Sequence, residues 1–129
     1  MSDSNAGSGA IWVLIGAVAA LISVAMGAFG AHSLQDRLDA RSLAVFHTAA
    51  QYEMYHALAL LGLGLWSAQH PAVSTSGPGW FFTAGIVLFS GSLYALSLSG
   101  VKILGAITPL GGVAFLIGWA WFAALAARS

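Results

Sequence analysis

One apolar run holds most of the side chains that could do chemistry. Leu43 to Trp66, LAVFHTAAQYEMYHALALLGLGLW, contains His47, Gln51, Tyr52, Glu53, Tyr55 and His56. The other apolar runs contain neither an acid nor a histidine. Ionisable groups at membrane depth are costly, and their presence there points to a functional site. Glu53 and His56 have the i,i+3 spacing that di-iron helix bundles use for one of their two carboxylate–histidine pairs. Such a centre needs further carboxylates from other helices, and the remaining acids, Asp3, Asp36 and Asp39, lie outside the apolar runs. His47 and His56 are nine residues apart, roughly 900° around a helix at about 100° per residue, so they lie on opposite faces. Neither metal nor cofactor is therefore expected, and a haem ligated by His56 from two chains stays an open alternative.

Nucleophilic catalysis has little support. Ser90 and Ser92 could approach His56 from a neighbouring helix, but no carboxylate is placed behind that histidine, and the strand-to-helix turn of a nucleophile elbow is absent. The expectation is no enzyme. Two other readings compete. In one, His56, Tyr52, Glu53, Gln51, Tyr55, Ser90, Ser92 and Tyr94 form a polar core that hydrogen-bonds across helices, at about 0.6–2 kcal/mol per contact. In the other, an oligomer moves protons, small cations or solutes through His56, Glu53 and Tyr52.

The elements that must position these groups are membrane helices. The chain has 129 residues, 59% of them hydrophobic and 6% charged, against roughly a quarter charged in soluble domains. The expected fold is all-α: an integral membrane four-helix bundle, up-down-up-down, with spans near 10–30, 43–67, 80–99 and 103–126 after a flexible tail over 1–9. The first run lacks a basic flank and exceeds a signal-peptide core, so a retained helix is expected. Zero net charge leaves no basic face for nucleic acid. With no cysteine, disulfides and thiolate sites are excluded.

Small-residue stripes predict close helix packing: Ala19, Ser23 and Gly27; Gly91, Ala95 and Ser99; and the pair Ala114 and Gly118. Pro109, inside the fourth run, predicts a kink that Gly111 and Gly112 loosen further. Between the first two runs, Ser33 and Asp36 resemble a capping box, and a short interfacial helix or a solvated loop fits that segment equally well. Arg37, Arg41 and Lys102 lie after the first and third runs, with Arg128 on the opposite side. The positive-inside rule then places loops 31–42 and 100–102 in the cytoplasm and both termini outside.

Four motifs, in order, carry a family resemblance: GAFGAHSL at Gly27 to Leu34, the F-x-T-A…Y-x-M-Y-H-A-L-A-L-L pattern at Phe46 to Leu61, FSGSLYAL at Phe89 to Leu96, and LGAITPLGGVAFLIGW at Leu104 to Trp119. The chain resembles domain-of-unknown-function family 423, small bacterial membrane proteins similar to a small mitochondrial membrane protein of animals. The resemblance implies four transmembrane helices and a bacterial inner membrane, with no catalytic or binding residue to carry over. Tyr52, Tyr55, His56, Gly27, Gly30, His32, Ser92, Tyr94, Pro109 and Gly112 belong to the family-like pattern, and His47 and Glu53 do not. Tiny loops and close-packing stripes favour an interaction protein, with the bilayer, other membrane proteins or further copies of itself as partners.

Overall fold

The computed structural model describes the backbone of residues 2–129 and the side chains of residues 9–129. Four helices follow one another: α1 (Ser2–His32), α2 (Ala40–Gln69), α3 (Ser76–Ser99) and α4 (Thr108–Ala127). The helical backbone of α1 begins ahead of the apolar run and takes in most of the polar segment expected as a tail. By length and apolarity, Gly9–His32, Ser76–Ser99 and Lys102–Ala127 can each cross a bilayer. α2, the span expected over 43–67, does not reach that apolarity although it has 30 residues. Its polar stretch from Gln51 to His56 dilutes it. The bundle compensates by turning Glu53 and His56 inward, at 3% and 5% exposed.

α1 and α2 pack antiparallel through facing glycines. A Cβ on Gly9 would lie 2.9 Å from the Gly64 carbonyl oxygen, one on Gly16 would lie 2.7 Å from that of Ala57, and one on Gly30 would meet Phe46 at 2.9 Å. Between them the Ser23 hydroxyl donates to the Ala50 carbonyl at 2.7 Å. Positions 9, 16, 23 and 30 of α1 and 50, 57 and 64 of α2 each repeat every seven residues. A seven-residue repeat keeps one seam facing its partner with slight left-handed winding. Ala19 and Ser23 of the expected stripe lie in this seam, but a Cβ on Gly27 would meet open space. The close-approach residues are Gly9, Gly16 and Gly30.

α3 and α4 interlock differently, with aromatic rings over glycines. Phe82 lies against Gly118, Phe115 against Gly85, and the Phe89 backbone against Gly111. Ala114 is buried in the same contact, so the Ala114–Gly118 pair packs as expected. The stripe of Gly91, Ala95 and Ser99 does not pack within the chain, because all three face outward.

Local chemistry sets the ends. α2 is capped by Asp39, whose carboxylate accepts from the Ser42 N–H at 2.7 Å. The Ser42 hydrogen bonds, and then nearby Arg41, hold the Asp39 carboxyl below its ordinary range. The cap is therefore complete near neutral pH and is lost as pH falls through that lowered value. The Ser33–Asp36 box does not form, and of the two alternatives for this segment the loop is the one present. Residues 33–39 are turns, with buried Leu34 accepting from Arg37 and Leu38 at 3.0 Å. Gly100, at φ 73°, ends α3 in the left-handed conformation that glycine adopts without penalty.

Pro109 sits in the first turn of α4, after a 3-10 turn at Lys102–Ala106, and not inside the helix as expected. There its missing N–H is one the helix would not have used. The expected kink is replaced by this change of winding before the helix. Gly111 admits the Phe89 backbone and does not loosen a bend.

Candidate functional site

The polar face of α2 divides between two neighbours. Glu53 turns to α3, where the Tyr94 hydroxyl donates to Oε1 at 2.7 Å, and the Tyr94 ring packs on Phe46 at 5.1 Å between centroids. His56 turns to α4. Its Nδ1 lies 2.8 Å from the Tyr52 carbonyl oxygen, and the Trp119 indole N–H reaches Nε2 at 3.0 Å. A carbonyl can only accept and an indole N–H can only donate. The proton of a neutral imidazole therefore sits on Nδ1, with Nε2 as acceptor. The ring lies flat on Phe115, with centroids 3.5 Å apart and planes 6° apart.

This corrects one expectation in detail. Of the expected polar core, His56 faces the interior, but it bonds across helices to the Trp119 indole and not to Ser90, Ser92 or Tyr94 of that group. Those hydroxyls are engaged elsewhere. Ser90 donates to the Ala49 carbonyl at 2.8 Å, Ser92 pairs with Thr108 at 2.6 Å, and Tyr94 serves Glu53. A π-helical turn at Ile86–Ser90, where the Gly91 N–H bonds to the Ile86 carbonyl, sits beside this region in α3. Such turns bulge a helix and often occur where function needs a side chain re-aimed.

The remaining residues of the expected core lie outward. Gln51 is exposed. Tyr52 and Tyr55 are 38% and 48% exposed and meet edge-on, with centroids 5.4 Å apart. They border a groove of about 460 Å³ between α2 and α4, whose walls include Phe89, Phe115, Leu116 and Trp119. Tyr52 bonds to His56 through its carbonyl, and neither phenol oxygen is hydrogen-bonded among the described residues. Tyr52, Glu53 and His56 thus do not form one connected relay. Among the described residues, no three His, Cys, Asp or Glu side chains are grouped to hold a metal ion.

Three features lay beyond the sequence reading. Trp119, an apolar-run residue with no assigned role in the sequence, orients His56. The indole N–H of buried Trp12 donates to Thr75, which donates to Ser67, tying α1, α2 and the start of α3. Small residues in α1 and α2 also recur every seven residues, a spacing that competes in the sequence with the four-residue stripe.

Comparison with known proteins agrees with this architecture. A family model described as a protein of unknown function, DUF423, matches residues 26–112. That match covers α2 and α3 whole, the end of α1 and the first turn of α4. The chain belongs to this family. It is 50% identical over 110 residues to the UPF0382 membrane protein YwdK of Bacillus subtilis, covering 84% of this chain and 89% of the relative. It is 46% identical over 109 residues to the UPF0382 membrane protein SSP2132 of Staphylococcus saprophyticus, covering 84% and 90%. A UPF0382 membrane protein of Staphylococcus epidermidis is 48% identical over 109 residues, covering 84% and 88%. No solved structure matches. Like these DUF423 relatives, the chain is a membrane protein, and Glu53 and His56 are turned inside its helical bundle.

Proposed function

We propose that the chain is a non-enzymatic packing and assembly partner in the inner membrane, docking another membrane protein or a second copy of itself against the α2/α4 groove. The supporting observation is the pair of phenols on that groove. Tyr52 and Tyr55 lie well within the length of α2, where lipid offers no hydrogen-bond acceptor. A neighbouring helix with a polar side chain would satisfy them and fill the aromatic cleft. The transport alternative through His56, Glu53 and Tyr52 has less support, because both imidazole nitrogens are already engaged.

A photo-crosslinking residue at Leu116, on the groove wall, is expected to trap one discrete protein adduct in native membranes. Tyr55→Phe in the same chain should reduce that adduct. The same residue at Leu21, on the outer face of α1, should label only lipid. Lipid adducts alone from Leu116 would refute the reading.

In the proposed orientation, loops 31–42 and 100–102 face the cytoplasm and both termini face outward, following Arg37, Arg41 and Lys102. A cysteine replacing Ser76 should react with an impermeant thiol reagent on intact cells, and one replacing Gln35 should not. The reverse labelling pattern would invert the topology.

A further inference from the structure

A second cavity lies at the other end of the bundle from the Trp12–Thr75 network. Its volume is about 430 Å³, and its walls are Arg41 and Ser42 of the first turn of α2, Val45 one turn deeper, Leu96 and Ser97 of α3, and Gly100 and Lys102 of the connection to α4. The chain has four Lys and Arg residues in all, and two of them line this one space. Both are exposed at its rim, while Leu96 and Val45 lie toward the apolar length of the helices. Cations at the rim above an apolar floor form an amphipathic pocket at the level where a helix leaves the hydrocarbon.

From this cavity and its charges we infer a binding site for the phosphate of an anionic phospholipid headgroup, with the acyl chains running down past Val45 and Leu96. The α2 amides are not the carriers. Asp39 already accepts from the Ser42 N–H, so the helix start is capped, and the anion is held by the Arg41 and Lys102 side chains. Asp39 and Asp36 are the acids of this end. The Asp39 carboxylate is engaged with Ser42 and feels Arg41, so Lys102 is the cation the site depends on more. Ser97 has no proton to offer an anion, since its hydroxyl donates to the Tyr94 carbonyl.

The test is native mass spectrometry of the full chain released from mixed phosphatidylglycerol and phosphatidylcholine micelles. The wild type should retain phosphatidylglycerol in preference. Near a membrane surface each Lys or Arg contributes about 1 kcal/mol toward anionic lipid. Lys102→Gln should therefore lower that preference about five-fold and Arg41→Gln by less, with the double variant close to no preference. Arg128→Gln, at the opposite end, should leave it unchanged. Circular dichroism of each variant checks that the helices persist, as expected for exposed side chains. Inorganic phosphate at millimolar concentration separates the two sources of the anion. If it displaces the lipid, the site reads free phosphate and the lipid assignment is wrong. Equal retention of both lipids by the wild type, or unchanged preference in the double variant, would also overturn the proposal.

Discussion

Gly16→Leu is expected to destabilise the bundle by about 2–3 kcal/mol, the upper part of the range for overpacking a close contact. The first atom of the new side chain would stand 2.7 Å from the Ala57 carbonyl oxygen and 3.0 Å from the Leu61 nitrogen. Both are backbone atoms of a helix and cannot swing aside as a side-chain tip would. α1 would have to move away from α2, weakening the Ser23–Ala50 hydrogen bond and the contact of Gly9 with Gly64. Gly27→Leu is the matched control, because a Cβ there meets nothing within 4 Å. Leucine also favours helix over glycine by somewhat under about 1 kcal/mol, so this variant should be neutral or slightly stabilised. Reversible unfolding in mild detergent measures both. A Gly27→Leu loss as large as that of Gly16→Leu would show that the seam does not run through 9, 16, 23 and 30.

Trp119→Phe should cost about 1–3 kcal/mol, the penalty for leaving a buried acceptor unpaired. The indole is 45% exposed, so little packing is lost, and the cost arises chiefly at His56 Nε2. His56→Leu removes the acceptor and the stack on Phe115 together, and should cost a similar amount or more. The two losses should not add. Residues in one hydrogen bond usually show coupling energies of about 0.5–3 kcal/mol in a double-mutant cycle. Nitrogen NMR of labelled histidine supplies an independent check, with His56 expected as the Nδ1–H tautomer in the wild type. An Nε2–H tautomer, or strictly additive losses, would mean that the indole does not orient this ring.

Much of the architecture was legible because it rests on local properties. Long apolar runs broken by Gly, Pro and charged residues mark helices and their connections wherever they later pack. The inward face of α2 was legible for a related reason, since lipid cannot satisfy Glu53 or His56. What misled was also local. Pro109 within an apolar run reads as a kink, yet the helix simply starts there, after a 3-10 turn whose ends no periodicity marks. Gly27 extended a four-residue stripe on α1, but the neighbouring helix follows the seven-residue seam, and Gly27 falls outside it.

That this is an all-helical membrane protein of the DUF423 family, and that Glu53 and His56 share one apolar run, was legible in the chain alone. Those properties depend on composition and short-range spacing. Which groups meet depends on how the helices pack. A helix turns about 100° per residue, so a small rotation or shift of α4 relative to α2 exchanges one neighbour for another. That is why His56 meets Trp119 while Tyr94 serves Glu53, why the Gly91, Ala95 and Ser99 face is left outward, and why Arg41 and Lys102 come to border one cavity.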